Sequence, residues 1–384
     1  MKVLITDGNN RIALAVVRAL GREKVEITSV EQDCFSKHRP ICFFSKYVKR
    51  TFIVPSIKNE SLAIEALLRY AQGHDAILPV SINMILLIVK NRSVFENAGI
   101  KVPYGSWEQI TEANDKYRLI NLAASLGIPV PAAFHLSDIS QLSDIARQIS
   151  FPAVIKFQDD YGLYLEPKLR YVIVDNQNSL KTQYLRMHTI KEYPLIQEYI
   201  KGNGYGFSAL FDKESNALAQ FCHKRLREYP INGGPSTFCE SVWEPKIAEY
   251  GLKLLKALNW KSIAMVEFKQ DERDGKFKLM EINPRFWGSL PLAINAGVDF
   301  PSLLLRSWQG EHLSPILNYK LGVKMRFLFL DFLASRDYFL NTTRKTAFFG
   351  SFLKDLLNFK IKDGIICYND PWPALVYLFT HFST

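Results

Sequence analysis

The chain has 384 residues, 48% of them hydrophobic and 22% charged, which is an ordinary composition for a globular protein with a large core and two or three domains. Its net charge of +10 is spread along the sequence, so no basic segment or known module predicts binding to nucleic acid. The five cysteines have no CxxC spacing, which argues against a zinc site or disulfide framework and favours a reducing compartment.

The apolar stretches are too short to predict a transmembrane segment. The longest, residues 84–89 and 327–333, fall far below the roughly 20 residues that a spanning helix needs. The N-terminus also lacks the charged start and apolar core of a signal peptide. We therefore expect a cytoplasmic protein.

The first hundred residues alternate between strand and helix patterns. Strands are predicted at Lys2–Thr6, Val25–Val30 and Ala76–Pro79, and helices at Arg11–Leu20 and Ser61–Gln72. This alternation predicts a parallel sheet with helices on its faces. The turn at residues 7–13 holds one glycine, which favours a structural or substrate-side role over dinucleotide binding.

The following region favours antiparallel strands. A helix is predicted from an N-cap at Asn114 to Leu126, with Gly127 as its C-cap. Turn-forming residues at 212–216 and 271–275 predict hairpins between later strands. The predicted strands are Phe151–Phe157, Leu195–Ile200, Gly206–Phe211, Leu218–Arg227, Ser262–Lys269 and Lys276–Asn283. From Glu311 onward the sequence is aromatic and reads as irregular, so the predicted fold class is α/β followed by α+β.

The strongest chemical signal is the run from Glu281 to Arg285. Glu281 and Asn283 are two residues apart on a strand and so project from one face. A hairpin would bring Glu267 of the preceding strand near Glu281, and two such carboxylates repel each other unless a cation lies between them. Carboxylate and amide oxygens suit magnesium, so Glu267, Glu281 and Asn283 are predicted metal ligands. The alternative is a solvated hairpin face with incidental charges.

Two lysines strengthen the prediction of a phosphate site. Lys156 ends an apolar strand, where a buried lysine needs an anionic partner. Lys116 lies in the first turn of a helix, where its charge opposes the helix dipole unless an anion binds nearby. Each lysine alone is more often a surface residue, but together with the carboxylates they form the parts of a magnesium–phosphate clamp.

A row of basic residues is a candidate acceptor site. His223, Arg225 and Arg227 share one face of a strand by alternation, and such a row can bind a carboxylate through the guanidinium groups. Residues 233–236 could form a mobile loop over this site. A charged edge strand that discourages aggregation is the equally weighted alternative.

The order of these motifs resembles the ATP-grasp superfamily, especially the carboxylate–amine ligases similar to carbamoyl-phosphate synthase. The motifs are Asp115-Lys116, Ile155-Lys156, Gln197-Glu198-Tyr199-Ile200, Val266-Glu267 and Glu281-Ile282-Asn283-Pro284-Arg285. The resemblance covers residues 1 to 310. In two places the sequence departs from the family pattern: the flap at residues 158–164 has a single glycine, and Asn203 stands where an acidic ribose ligand is usual.

The resemblance implies a role for each motif. Lys116 and Lys156 would contact the ATP phosphates, and Gln197, Glu198, Tyr199 and Ile200 would form the hinge that reads adenine. Glu267, Glu281 and Asn283 would hold Mg²⁺, with Mn²⁺ as an alternative, and Arg285 and Arg225 would be catalytic. The implied fold is an N-terminal parallel α/β (pre-ATP-grasp) domain at 1–112 and a two-lobed ATP-grasp domain with antiparallel sheets at 113–310. The small lobe would cover about 123–200, and residues 311–384 would be a C-terminal extension packed on this core.

The implied activity is ATP-dependent ligation through an acyl phosphate, with a small carboxylate and an amine or thiol as substrates. Two alternatives stay open: a bicarbonate-activating component of a carboxylase or carbamoyl-phosphate enzyme, and a nucleotide-binding regulator without catalysis. The sequence also leaves open a homo-oligomer, and docking of the aromatic tail to a membrane surface. It does not identify either substrate.

Overall fold

The structure is a computed structural model that describes residues 1–159, 161–163, 165, 169–231, 233–343 and 345–381, with only the backbone described at 36–38 and 381. Within these ranges the strands form two four-stranded sheets and one seven-stranded sheet. The predicted combination of a parallel sheet followed by antiparallel sheets is confirmed. Among the same residues, no helix is long and apolar enough to cross a membrane.

The N-terminal sheet is entirely parallel, in the order β3-β2-β1-β4. Its apolar strands carry helices between them, as the alternating pattern predicted. The first helix is capped by Asn10, whose side chain accepts a hydrogen bond from the Ile12 amide at 2.9 Å. The elements are β1 (Lys2–Ile5), α1 (Arg11–Arg22), β2 (Glu26–Gln32), β3 (Val48–Val54), α2 (Glu60–Ala71), β4 (Ala76–Leu78), α3 (Ile82–Lys90), α4 (Arg92–Asn97) and α5 (Trp107–Asn114).

The small sheet is antiparallel, in the order β5-β8-β6-β7, and two helices pack against it. The N-cap predicted at Asn114 is wrong, because Asn114 ends α5 and Asp115 caps the next helix. The Asp115 carboxylate accepts hydrogen bonds from two amides of the first turn, as an N-cap does. The elements are α6 (Lys116–Ser125), β5 (Ala133–Phe134), α7 (Leu142–Gln148), β6 (Ala153–Lys156), β7 (Tyr171–Val174), α8 (Gln177–His188) and β8 (Leu195–Glu198).

The large sheet contains the two predicted hairpins, β9–β10 and β12–β13, with β9 and β12 paired to each other. The turn residues at 212–216 and 271–275 connect the hairpins as expected. The full strand order is β13-β12-β9-β10-β11-β14-β15. The first elements are β9 (Gly202–Phe211), β10 (Ala217–Glu228), β11 (Ser236–Val242), α9 (Pro245–Ala257), β12 (Ser262–Asp271), β13 (Phe277–Asn283), α10 (Leu290–Ala296) and α11 (Phe300–Trp308).

The C-terminal segment is regular, so the prediction of an irregular tail is wrong. Its two short strands extend the large sheet beyond β11, and its helices pack beside them. Aromatic residues dispersed among polar ones hid the helical period from the sequence pattern. The elements are β14 (Lys324–Arg326), α12 (Leu328–Asn341), α13 (Lys345–Leu356), β15 (Lys362–Asp363) and α14 (Trp372–His381).

The buried apolar residues form two clusters. One is continuous from the N-terminal sheet through the large sheet and the C-terminal segment. The other belongs to the small sheet and its helices α7 and α8. The small sheet is therefore packed around a core of its own, and a cleft lies between it and the large sheet.

Candidate functional site

A cavity of about 300 Å³ lies between the small sheet and the large sheet. Its walls combine cationic, carboxylate and apolar side chains, the mixture that a nucleotide requires. Every residue predicted for ATP phosphates, adenine or metal lines it. These are Lys116, Lys156, Gln197, Glu198, Tyr199, Ile200, Glu267, Glu281 and Asn283, joined by Arg225 and Arg285.

The two carboxylates on the large sheet face each other directly. Glu267 of β12 pairs in register with Glu281 of β13. The Asn283 side-chain amide lies between them and donates to Glu267 Oε1 at 3.0 Å and to Glu281 Oε1 at 3.2 Å. The structure therefore brings together the three side chains predicted as metal ligands.

The Glu267 carboxylate lies in a buried and charged environment. Burial raises its pKa, the Arg225 guanidinium opposes that rise, and the neighbouring charge of Glu281 adds to it. Among the described residues, no group of three or more His, Cys, Asp or Glu side chains suits a metal. This site instead has two carboxylates and an amide, which are groups with hard oxygen atoms of the kind that Mg²⁺ prefers.

Arg225 of β10 reaches across β9 to the carboxylate pair on β12 and β13. Its Nη2 donates to Glu267 Oε2 at 2.5 Å, and its Nη1 lies 3.7 Å from Glu228 Oε2. A Cβ atom at Gly204 on β9 would lie 2.7 Å from Arg225 Cδ. A glycine at this position therefore leaves the space that the arginine side chain occupies.

The two lysines reach the cavity from two separate elements, and hydrogen bonds join these elements to each other. The Lys116 amide at the start of α6 donates to the Gln158 carbonyl, which follows β6, at 2.9 Å. The Gln158 side chain donates to the helix cap Asp115 at 3.3 Å. These bonds hold the first turn of α6 beside the end of β6, so Lys116 and Lys156 both line the cavity.

The predicted hinge segment 197–200 covers the last two residues of β8 and the start of the connection to β9. The Glu198 side chain is held by Arg273 at 2.6 Å, with Lys278 at 3.7 Å. The Glu198 amide donates to the Ala132 carbonyl at 2.8 Å, so both its carboxylate and its amide are engaged within the protein. Of the flap predicted at 158–164, Asp160 and Tyr164 lie outside the described residues.

His223 is buried behind the cavity wall. Its Nε2 lies 3.1 Å from Ser289 Oγ, and burial together with the charge of Arg225 lowers its pKa to about 3. The ring is therefore neutral at physiological pH and acts as a hydrogen-bonding group.

Arg227 has a different environment from the other two residues of the predicted basic row. A bulge between Arg225 and Arg227 interrupts the pairing of β10 with β11. The Arg227 guanidinium forms a two-point ion pair with Asp331 at 2.8 Å and contacts Asp355 at 3.2 Å. Its charge is therefore used in holding the C-terminal segment to the large sheet.

Several cavity residues were missed from the sequence, among them Lys269 and Met280. Lys269 lies two residues after Glu267, and its Nζ donates to the Ile200 carbonyl at 3.3 Å and sits over the Tyr199 ring. The alternation that identified Glu267 could have identified Lys269 as well. Met280 lines the cavity beside Glu281 because the strand pairing skips it, and no sequence pattern indicates that bulge.

The loop after Arg285 contacts buried donors of other elements. Gly288 packs near the guanidinium of Arg11, at the start of α1, and Ser289 contacts His223. Within the described part of the chain, three buried nitrogen atoms here have no hydrogen-bond partner: Arg11 Nη1, Trp287 Nε1 and His223 Nδ1, whose role as donor or acceptor depends on the tautomer of the ring. Such groups are costly to bury and suit an anionic or carbonyl ligand.

Residues 193–327 match the family model described as ATP-grasp in the biosynthetic pathway with Ter operon. The carbamoyl phosphate synthase large chain of Methanocorpusculum labreanum is 23% identical over 238 residues, 58% of this chain. The match spans about a fifth of that relative, 22% of its length.

Solved structures show the same architecture. The biotin carboxylase domain of 2-oxoglutarate carboxylase from Hydrogenobacter thermophilus, solved with MgADP, ADP and bicarbonate, has a TM-score of 0.66 at 20% identity, over 84% of this chain and 73% of that one. The L-amino acid ligase from Bacillus licheniformis has a TM-score of 0.60 at 15% identity, over 79% and 73%. About a third of the chain, residues 193–327, thus matches an ATP-grasp family model, and the chain shares its fold with these solved structures.

Proposed function

We propose that the chain uses ATP to activate a small carboxylate and transfers the acyl group to an amine. The observation that carries this proposal is the convergence of Lys116, Lys156, Arg285 and the Glu267–Glu281 pair on one cavity. Phosphoryl transfer depends mainly on positioning and on offsetting charge, and this set offers both.

The nucleotide would lie in the cleft with its adenine against the hinge and its phosphates toward the large sheet. The apolar wall beside the hinge includes Val154, Ile173 and Met280, which suits a planar base. Lys116 and Lys156 would contact the phosphates. Lys269, already bonded to the hinge carbonyl of Ile200, would orient that segment toward the base.

The carboxylate pair fits magnesium by its chemistry. Two facing carboxylates, one of them with a raised pKa, are stabilised by a cation, and the Asn283 amide can present its oxygen in place of its NH₂ group. Magnesium held by Glu267, Glu281 and Asn283 would offset the charge of the phosphates.

The reaction would have two balanced steps. An oxygen of the substrate carboxylate attacks the γ-phosphorus, the bond from that phosphorus to the β-phosphate oxygen breaks, and ADP leaves. The amine nitrogen then attacks the acyl carbon of the acyl phosphate, the carbon–oxygen bond to phosphate breaks, and the amine loses a proton. Arg285 would stabilise charge on the transferring phosphoryl group.

The acceptor carboxylate would bind next to Arg225 and the buried donors behind it. Arg225 is a planar donor suited to carboxylates, and neutral His223 lies two residues away on the same strand. Arg11 and Trp287 each contribute a donor atom without a partner among the described residues. Arg227 is not assigned to the acceptor, since Asp331 and Asp355 bind it and, unlike Arg225, it does not line the cavity.

Replacing Glu281 with Gln tests the proposal. We expect ADP release, measured with a panel of carboxylates and amines, to fall about a hundredfold or more because the cation loses a charged ligand. Glu249→Gln, which alters an exposed carboxylate paired with Lys246, serves as the control and should leave the rate unchanged. Undiminished turnover in the Glu281 variant would contradict the proposal.

Bicarbonate activation is a second candidate, since one structural relative was solved with bicarbonate and a sequence relative is a carbamoyl phosphate synthase. ADP release that requires bicarbonate, and that no other carboxylate supports, would favour this candidate. A dependence on an organic carboxylate and an amine would favour ligation.

A further inference from the structure

The C-terminal segment exposes far more apolar surface than the rest of the chain. Ten of the twenty-three large hydrophobic side chains exposed on the described residues lie between 328 and 381. Phe359 is 94% exposed and Leu357 is 61% exposed. Contiguous exposed apolar surface on a protein marks a site of interaction with another molecule or a membrane.

This surface is centred on α13. The described residues of that helix include no buried side chain. One side packs on α12, through Phe352 against Phe332 with ring centroids 5.5 Å apart and Phe348 against Tyr338 at 6.2 Å. The other side is open.

The open side carries exposed apolar side chains: two lie four residues apart on one face of α13, and two more follow the end of the helix. We call it the α13 surface, and it consists of Phe349, Leu353, Leu357 and Phe359. The last two follow the end of the helix, so the surface ends in a projecting aromatic ring.

The charges around the α13 surface have one sign. The exposed charged residues among the described positions of 328–381 are Arg336, Lys345, Lys354, Lys360 and Lys362. Four of these are lysines within or beside α13 and β15.

The carboxylates of the same segment are engaged inside the protein. Asp331 and Asp355 bind Arg227, and Asp370 binds Arg18. Asp363 accepts hydrogen bonds from the amides of Leu328, Ile365 and Ile366, each at 2.7 Å. Asp337 lies 3.3 Å from Arg336, so that arginine is partly offset whereas the lysines give the surface a net positive charge.

We propose that the α13 surface docks on a membrane that contains anionic lipids. The apolar side chains would enter the boundary between headgroups and acyl chains, and the lysines would reach the headgroups. A second copy of the chain is a poorer occupant, because a symmetric contact would bring the same lysines together. Docking does not rest on the proposed ligase activity.

Co-sedimentation of the full chain with lipid vesicles tests the proposal. We expect binding to vesicles of phosphatidylcholine with phosphatidylglycerol, weak binding to phosphatidylcholine alone, and loss of binding as salt is raised. The double variant Leu357→Ser/Phe359→Ser should bind about tenfold more weakly. Lys354→Glu/Lys360→Glu should lower binding to the anionic vesicles by at least a similar factor.

Matched control variants test whether vesicle binding depends on the α13 surface itself or only on the exposed apolar area and net charge of the whole chain. Ile53→Ser/Leu62→Ser removes two exposed apolar residues near the N-terminal sheet, and Lys49→Glu/Arg50→Glu changes the net charge equally there. Both should bind vesicles as the unchanged chain does. Absence of binding to anionic vesicles, or equal loss in the controls, would overturn the proposal.

A measurement of the oligomeric state tests the alternative that a second copy of the chain binds the α13 surface. If the unchanged chain is a dimer that Leu357→Ser/Phe359→Ser dissociates, the α13 surface is a protein interface and the proposal fails. Because both side chains are mostly exposed, we expect the thermal unfolding midpoint of this variant to match that of the unchanged chain.

Discussion

Glu31 shows how a single buried carboxylate can affect stability away from the cavity between the small and large sheets. Its side chain, at the end of β2, accepts hydrogen bonds from the amides of Asn9 and Gln32, both at 2.7 Å. Burial raises its pKa to about 7, and the charge of Asp7 adds to the rise. The folded chain therefore holds this proton more tightly than the unfolded chain, so its contribution to stability is full below about pH 4.5 and is lost as pH rises to about 7.

Glu31→Gln should remove that dependence. We expect the free energy of unfolding of the unchanged chain to lose on the order of 3 kcal/mol from this residue between about pH 4.5 and about pH 7, and the variant to lack that loss. Urea denaturation across this range measures it, with exposed Glu65→Gln as the control. If the free energy of unfolding changes with pH identically in the unchanged chain and in the Glu31 variant, the raised pKa is not that of Glu31.

At the scale of an element, strand β9 provides the space that the site requires. Gly204 lies under Arg225, and Gly206 lies under the ring of His223. A Cβ atom at Gly206 would lie 2.9 Å from His223 Nδ1 and closer still to Cε1, too near for a buried ring with packed neighbours. The glycines of this strand are thus required by side chains on β10.

Gly206→Ala should lower the free energy of unfolding by about 1–3 kcal/mol, because the buried ring must move. Gly350→Ala in α13 is the matched control, since no heavy atom lies within 4 Å of its added methyl group. That control should stabilise the chain by about 0.5–1 kcal/mol through helix propensity. Chemical denaturation compares the two variants. A free energy of unfolding for Gly206→Ala equal to that of the unchanged chain would contradict the packing argument.

At the scale of the whole molecule, the C-terminal segment ties the N-terminal sheet to the large sheet. Arg18 of α1 donates to the Asp370 carboxylate at 2.9 Å, to the Ile365 carbonyl at 2.7 Å and to the Asp370 carbonyl at 2.8 Å. Asp370 also accepts from Ser45 and from the Lys46 amide, both at 2.9 Å. This buried network leaves little freedom between the two parts.

Arg18→Met should therefore destabilise the protein by about 3–5 kcal/mol, because Asp370 would remain buried without its cation. Lys246→Met, which breaks an exposed pair with Glu249, is the control and should cost about 1 kcal/mol or less. Thermal unfolding compares the two variants. Equal, small effects would show that the Arg18–Asp370 pair does not hold the segment in place.

The sequence by itself determined the features that depend on local spacing. Alternating strand and helix patterns predicted the parallel sheet, and turn residues predicted the two hairpins. The period of two along a strand placed Glu281 and Asn283 on one face. These inferences succeed because backbone geometry repeats over a few residues.

Only the tertiary structure decided which distant residues meet. It placed Glu267 directly opposite Glu281, brought Met280 into the cavity through a bulge, and joined Arg227 to Asp331 across 104 positions of sequence. It also showed helices in a tail whose sequence predicted none. Strand register, bulges and long-range ion pairs depend on packing between segments far apart in the chain, and short-range periodicity contains no information about such packing.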